Sequence, residues 1–376
     1  PAGQRLNATW NISSPGYMDY FADQFTKAVD TFDFDAMFFD CFVRGSVLGA
    51  GCSDINGNPA SEKNSDQVAG DFLSAMEAAV KKVSDKKIVF VCNNNIAMGV
   101  EDGEYQKPDF RQRVLNGEIK FPFPEMARHD IIWVHEYQIG KPQLQDMYKS
   151  NLNYPFTYRS ASRLIQAIKQ VGRCNPLAWW ETLAVGTIDN IKALNAIVLA
   201  NGGGGTQGFG IFDTIFVAGA RLTADEEAIA RIVKDYLHFS VRYEEYIKPL
   251  DIKWLPDGVF NCNVPDKVYW QDLCFEKTVS SSRKQYYLHL INLPGDEFSK
   301  KYDKLEDVRN IAIETEIPEG WQVSGIKLLS PDIAPEPVTI EYKQMSPHRI
   351  QYIIPQLQVW DFVIIDMKKP NSRERM

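Results

Sequence analysis

The sequence predicts an α/β region followed by an antiparallel β domain, on three observations. As far as Pro249, short apolar runs alternate with segments of helical periodicity. Several of those runs end in a polar or ionisable residue. After about residue 255 the texture changes to short strand-like runs separated by Pro, Gly, Asp and Ser. Apolar strands alternating with amphipathic helices make a parallel sheet covered on both faces, whereas closely spaced strands with turn residues between them make an antiparallel domain. The division falls near residues 249–256, giving an α/β part of residues 1–252 and a β part of residues 253–376.

Each element has its own signal. Residues 16–31 carry Tyr17, Tyr20, Phe21, Phe25, Ala28 and Val29 near helical spacing. The apolar run 34–40 follows and ends at Asp40. Val68, Phe72, Met76, Ala79, Val80 and Val83 repeat the helical pattern over residues 67–83. Residues 88–92 form a buried-strand run that leads into Asn93, residues 131–136 a run that ends at Glu136, and residues 176–180 a run followed by Glu181. Thr187 to Leu199 reads as a helix, and residues 207–211 as a fifth strand. A Thr-Ala-Asp-Glu capping signal at Thr223 opens a long helix to Ile247. In the β part, residues 286–292, 338–342 and 358–365 predict strands.

Composition narrows the function classes. A chain of 376 residues exceeds one ordinary core. It has no apolar run of about 18 residues, so no membrane span is expected. A net charge of −8 opposes a phosphate-binding surface and excludes a nucleic-acid binder. An acidic chain with 12% aromatic residues suits a neutral partner such as a sugar, whose apolar ring faces stack on aromatic side chains. The six cysteines form no CxxC pair, so no structural zinc is expected, and no metal or cofactor is implied. Cys262 and Cys274 bracket a short segment; they either close a hairpin as a disulfide or stay buried thiols. Sequons at Asn7 and Asn11 point to an extracellular or cell-surface location. The start at Pro1, with neither initiator Met nor signal peptide, reads as a processed or partial chain. The glycines from Gly202 to Gly205 lack the Lys and Ser/Thr of a phosphate-binding loop and read as a flexible loop.

The acids at the strand ends carry the chemistry. In a (β/α) barrel the C-terminal strand ends form the active-site face. Glycosidic cleavage takes two carboxyl groups, one ionised as nucleophile or base and one protonated to release the leaving oxygen. Asp40 and Glu136 are the candidates; the competing reading is that each merely caps the helix after it. Asn93, Trp133, Tyr137, Trp180 and Glu181 are candidate sugar-binding residues at or beside the same ends. Arg44 is placed to pair with Asp40 and hold it ionised. His129 and His289 read as structural or exposed.

Ordered segments carry a family resemblance. Phe32-Asp-Phe-Asp-Ala-Met-Phe-Phe-Asp40, Val91-Cys-Asn93 and Asp130-Ile-Ile-Trp-Val-His-Glu136-Tyr resemble three strands of the dextranase family, glycoside hydrolase family 66. That family cuts or transglycosylates α-1,6-glucans and includes the cycloisomaltooligosaccharide glucanotransferases. Asn195-Ala-Ile-Val-Leu-Ala-Asn-Gly-Gly-Gly and Asp235-Tyr-Leu-His-Phe-Ser-Val-Arg-Tyr-Glu-Glu245 resemble its approach to the last barrel strand and its final barrel helix. Leu288-His-Leu-Ile-Asn-Leu293, Leu329-Ser-Pro-Asp332 and Ile354-Pro-Gln-Leu-Gln-Val-Trp360-Asp follow in the expected order. The resemblance implies a (β/α)8 TIM barrel, with strands 4–8 in this chain, followed by an antiparallel β-sandwich. It implies retaining endo-cleavage of a dextran-like polysaccharide through a covalent glycosyl-enzyme intermediate. Asp40 attacks the anomeric carbon; Glu136 protonates the leaving oxygen and then activates water or an acceptor sugar. That chemistry asks for carboxyl groups about 5–5.5 Å apart and a raised pKa at Glu136, for which Trp133 and Tyr137 are apolar neighbours.

The chain departs from the family in three places. The Gly/Asn/Ser-rich stretch from Arg44 to Asp66 lengthens the spacing between Asp40 and Glu136 and reads as a long loop on the active-site side. Cys41 and Phe42 replace small residues after the nucleophile position, and His135 precedes Glu136. Residues 206–212 lack the His and Glu expected for substrate binding. Two alternatives therefore stand beside the dextranase reading: a carbohydrate-binding or structural surface protein without turnover, and a retaining glycosidase for another linkage. Five strands cannot close an eight-stranded barrel. The expectation is that the earlier strands are supplied in cis or by a separate chain, and that without them an apolar sheet edge aggregates.

Overall fold

The computed structural model describes residues 15–32, 36–39, 65–83, 89–93, 107, 109–118, 131–138, 157–172, 177–181, 187–207, 224–297, 300 and 302–370. Its first part runs α1 (Pro15–Phe32), β1 (Ala36–Phe39), α2 (Ser65–Val83), β2 (Val89–Asn93), α3 (Phe110–Leu115), β3 (Ile131–Gln138), α4 (Tyr158–Gly172), β4 (Leu177–Glu181), α5 (Ile188–Ala200), β5 (Gly204–Gln207), α6 (Ala224–Arg242) and α7 (Glu244–Ile247). The five strands pair in parallel in the order β1-β2-β3-β4-β5. A helix lies between each consecutive pair in the chain, as a parallel connection requires. Among the described residues this is an open sheet with β1 and β5 at its ends, and no closed barrel is formed.

The helices form where their apolar stripes find cover. Phe25 and Val29 of α1 are buried, as are Phe72, Met76 and Ala79 of α2, and the rings of Phe21 and Phe72 lie 5.7 Å apart across the pair. Tyr20, assigned to that stripe by its spacing, is instead 61% exposed. Helix α5 is largely apolar and buried at every residue from Asn190 to Ala200 except Lys192, the signature of an interior helix. Thr187 caps it by accepting from the Asn190 backbone N–H. At its other end Gly202 adopts φ +76°, and the N–H groups of Gly202 and Gly203 return to the carbonyls of Leu199 and Val198. That pairing is a Schellman cap, which needs a residue able to take a positive φ.

The second part runs β6 (Ile252–Trp254), β7 (Phe260–Asn263), β8 (Val268–Tyr269), β9 (Cys274–Ser280), β10 (Arg283–Asn292), β11 (Val308–Glu316), β12 (Gln322–Ser330), β13 (Ala334–Thr339), β14 (Tyr342–Ser346), β15 (Arg349–Leu357) and β16 (Trp360–Lys368). A seven-stranded sheet takes the order β13-β12-β16-β10-β9-β6, with β8 also on β10, and a four-stranded sheet the order β14-β15-β11-β7. The two pack as a sandwich around Leu288, Leu290, Ile313, Ile350, Ile354, Val363 and Ile365.

The seven-stranded sheet is covered on both faces. Alternate residues of β10 and β16 (Tyr287, Ile291, Trp360, Phe362, Ile364) belong to a different core, shared with Tyr158 and Ile165 of α4, Leu194 and Ile197 of α5, and Tyr236 and Phe239 of α6. Double burial explains why both strands read as continuous apolar runs, while β11 and β15 alternate. Polar ties run through the same boundary. The carboxylate of Asp332 accepts from Lys192 Nζ at 2.8 Å, from the Tyr236 hydroxyl at 2.9 Å and from the Trp360 backbone N–H at 3.0 Å. Asp272 accepts from Arg163 Nε at 2.8 Å and from the Tyr269 hydroxyl at 2.9 Å. Arg111 of α3 donates to the carbonyls of Gln271 and Leu255.

Several expectations change. The fifth strand is the glycine run itself, Gly204–Gln207, paired to β4; the loop assigned there and the strand expected over 207–211 are both displaced, with residues 208–211 outside the described set. The helix expected from Thr223 to Ile247 breaks at Tyr243, whose φ −114° and ψ 30° are not helical. The strand expected over 338–342 is two, β13 and β14, which belong to different sheets on either side of a break at Ile340 and Glu341. Cys262 and Cys274 are free thiols on strands of opposite sheets, so neither hairpin nor disulfide forms. Helices α3 and α4 had no sequence-based expectation.

Removing the Asp332 carboxylate strands three donors at once: the largely covered ammonium of Lys192, the Tyr236 hydroxyl and the Trp360 backbone N–H. Asp332→Ala is expected to lower the unfolding free energy by about 3 kcal/mol, read from the urea midpoint, with Asp332→Asn losing less. Equal stability of Asp332→Ala and the parent protein rules this role out.

Candidate active site at the strand ends

Parallel pairing brings the C-terminal ends of all five strands to one edge of the sheet. Register fixes which candidates are neighbours there. Phe39, Cys92 and Trp133 share one row across β1, β2 and β3. Asn93, the last residue of β2, is paired with Val134. Glu136 is paired with Trp179, Tyr137 with Trp180, and Gln138 with Glu181. Glu136 stands three positions beyond Trp133, roughly 10 Å further along the strand. Tyr137, Trp180 and Glu181 lie in the next rows toward the same edge, on strands about 4.8 Å apart. Asp40 follows Phe39 in sequence and lies outside the described residues, as do Arg44, His129 and the sequons at Asn7 and Asn11.

The local reasons are plain. The residues of β1, β2 and β4 are apolar up to the strand end, the pattern of a parallel sheet with helices along it. Asn93 and Glu181 are the terminal residues of β2 and β4, whereas β3 runs two residues past Glu136, the end expected for it, to Gln138. Among the described residues, no group of His, Cys, Asp or Glu has the arrangement to hold a metal ion.

Strongly perturbed titratable groups sit elsewhere, at and beside the boundary between helices and sandwich. Burial lowers Lys169 to about 7, with the Asp251 charge opposing it, and its Nζ has no hydrogen-bond partner. Burial lowers His289 to about 3, aided by the Lys169 charge. Its imidazole stacks 4.0 Å from the Phe362 ring and its Nδ1 accepts from Trp360 Nε1, which settles it as a buried neutral core residue. Burial raises Asp361 to about 8; the neighbouring Ser330 hydroxyl opposes the shift and the Asp332 charge adds to it. Perturbed groups often mark active sites, but these three are enclosed by core. His289 and Asp361 lie in the family-like motifs of the sequence, whereas Lys169, on α4, had no such signal.

No family model matches the sequence, and no curated protein matches it either. Among solved structures, the chain is similar in fold to a cycloisomaltooligosaccharide glucanotransferase from Paenibacillus sp. complexed with cycloisomaltoheptaose. The TM-score is 0.65 at 12% identity, over 94% of this chain and 66% of that one. The chain thus spans just under two thirds of that enzyme's length. Two others align at lower TM-scores: α-L-fucosidase isoenzyme 2 from Paenibacillus thiaminolyticus, at 0.41, 11% identity and 96% and 81% of the two chains, and an isomalto-dextranase from Arthrobacter globiformis T6 complexed with panose, at 0.30, 9% identity and 95% and 70%. What the first comparison defines is a fold: helices and a parallel sheet joined to a β-sandwich, in the arrangement of that glucanotransferase. No helix among the described residues is long and apolar enough to cross a membrane.

Lys169 makes a pH-dependent prediction. Its folded pKa of about 7 lies below the ordinary 10.5, so between those values the unfolded chain binds a proton that the folded chain does not. The resulting penalty is absent above 10.5, grows as pH falls and is complete below 7, so it makes stability rise with pH across that window. Lys169→Met is expected to remove that slope and to raise stability at neutral pH by about 1–4 kcal/mol. Urea unfolding at pH 7 and at pH 9.5 checks it; an unchanged slope in the variant sinks the assignment.

Proposed function

We propose that the strand-end edge is the catalytic face of a retaining glycoside hydrolase that cuts α-1,6-linked glucan internally. The observation that carries the reading is the register: Glu136, Tyr137, Trp180 and Glu181 occupy adjacent rows at the edge where β1, the strand preceding Asp40, also ends. The fold likeness to the glucanotransferase supports it. The five strands are then the later part of an eight-stranded (β/α) barrel, completed in cis or by a separate chain, in an extracellular or cell-surface protein.

In this mechanism the Asp40 carboxylate attacks the anomeric carbon as the neutral Glu136 carboxyl gives its proton to the departing glycosidic oxygen. The bond from the anomeric carbon to that oxygen breaks and a glycosyl ester on Asp40 forms. Glu136, now a carboxylate, takes a proton from water or from an acceptor sugar hydroxyl, whose oxygen displaces Asp40 and restores the anomeric configuration. Trp133, Tyr137 and Trp180 supply ring faces for the sugar; Asn93 and Glu181 supply hydrogen bonds to its hydroxyls.

Asp40→Asn and Glu136→Gln separate the two roles in the full-length protein. Each is expected to lower dextran hydrolysis by about 10²–10⁴-fold. Glu136→Gln keeps turnover of an aryl glucoside, whose leaving group needs no proton, and azide accelerates it; Asp40→Asn loses both substrates. Wild-type dextran cleavage by either variant defeats the assignment. Sugar binding without cleavage in the parent protein favours the non-catalytic alternative.

A further inference from the structure

The sandwich has a cleft of its own. The β14–β15 hairpin at the edge of the four-stranded sheet faces the turn that leads into β12 of the seven-stranded sheet. Between them lies a cavity of about 530 Å³, whose walls include Trp321, Gln322, Tyr342, Gln344, Pro347 and His348. That volume falls in the range of small-ligand sites. A second cavity of about 380 Å³, bordered by Glu314, Glu316 and Arg349, shares Ile317 and His348 with the first. The two adjoin along one side of the hairpin.

The aromatic side chains of this cleft are held in place. The Trp321 backbone N–H bonds to the Pro318 carbonyl, and Gly320 at φ +77° makes the turn that presents the indole. Trp321 packs against the sandwich core, and the ammonium groups of Lys284 and Lys369 lie 4.8 and 5.2 Å from its ring centroid. The Tyr342 hydroxyl donates to the Val323 carbonyl at 3.1 Å, tying the hairpin to β12 across the opening.

The cavity is also lined by the side chains of Gln322, Gln344 and His348. Among the described residues, the Trp321 indole N–H, the Gln322 amide and the His348 imidazole have no protein hydrogen-bond partner. Gln344 Nε2 donates to the Ser346 carbonyl and, at 3.3 Å, to the Arg349 carbonyl, leaving its own carbonyl oxygen as an acceptor. No carboxylate lines the larger cavity among the described residues. Ring surface beside amide and imidazole groups, with the Lys284 and Lys369 ammonium groups as further donors near Trp321, suits a polyhydroxylated ring better than a metal ion or a purely apolar ligand.

We propose that this cleft is a second, non-catalytic carbohydrate site that takes one or two pyranose units of an α-1,6-glucan. The choice of glucan rests on the function proposed above; the site itself rests on the cleft's residues. Such a site tethers the polymer to the sandwich while another stretch of it reaches the strand-end edge, raising the local concentration of chain ends and linkages there.

Affinity electrophoresis of the full-length Glu136→Gln protein through gels containing dextran tests this without degrading the polymer. Retardation by dextran is expected, with the association constant falling roughly tenfold in Trp321→Ala and severalfold in His348→Ala and Gln322→Ala. The last two change exposed side chains and keep the test valid if Trp321→Ala fails to fold. Retardation lost in Trp180→Ala and untouched by the three cleft variants overturns the proposal, as does the absence of retardation in a protein whose parent cleaves dextran. Retardation that depends on the cleft residues in a protein without hydrolytic activity upholds this site while the strand-end reading fails.

Discussion

The rest of the structure depends on one constraint: the seven-stranded sheet must be covered on both faces. Its inner face closes the sandwich, and its outer face seals helices α4, α5 and α6. Asp332 pins that second contact. One carboxylate gathers a lysine from α5, a tyrosine from α6 and the backbone of β16. Burying an ion pair is costly in itself, and the return lies in fixing a single docking geometry between two surfaces that are otherwise only apolar. Asp272 does the same further along, where Arg163 of α4 meets Tyr269. The parallel sheet is thus carried on helices whose position the sandwich sets.

This reshapes the meaning of the family-like motifs. His289, Asp332, Tyr236 and Trp360, which gave the resemblance much of its order, meet at the docking boundary rather than at the strand ends. A fold can keep such residues because its packing depends on them, whatever chemistry its strand ends perform. The likeness in fold to the glucanotransferase at 12% identity fits this division. The catalytic reading stands on separate residues and on separate tests.

Much of the fold was legible because burial writes itself into periodicity. Strands β2, β3, β4, β10 and β16 appeared as apolar runs, and α1, α2, α5 and most of α6 as helical stripes, within a few residues of their ends. The failures are local and physical. Gly-Gly-Thr-Gln carries no apolar signal; it becomes β5 because β4 offers it a partner. The stretch from Val338 to Tyr342 has strand residues throughout, but a break at Ile340 and Glu341 sends its halves to different sheets. Cys262 and Cys274 are close in sequence, yet the sandwich topology puts their strands in opposite layers. At the candidate site, Asn93, Trp133, Glu136, Tyr137, Trp180 and Glu181 all fall within strands, because polar residues at the end of an apolar run mark where the sheet leaves its cover. Side-chain geometry at that edge was never legible from the sequence, since it depends on loops whose conformations have no periodic signal.

The doubly covered sheet also has a consequence for synthesis. The helices that need the sandwich are made first: Lys192 precedes its partner Asp332 by 140 residues, and Arg111 precedes the Leu255 carbonyl by 144. At a translation rate of about 5–20 residues per second, α5 leaves the ribosome roughly 7–28 seconds before its polar anchor exists. For that interval α5 has only the helices α4 and α6 for cover, and the face that the sandwich later seals is open. The nascent protein therefore passes through a stage in which that apolar face is uncovered, and synonymous changes that slow decoding across residues 200–330 would lengthen it.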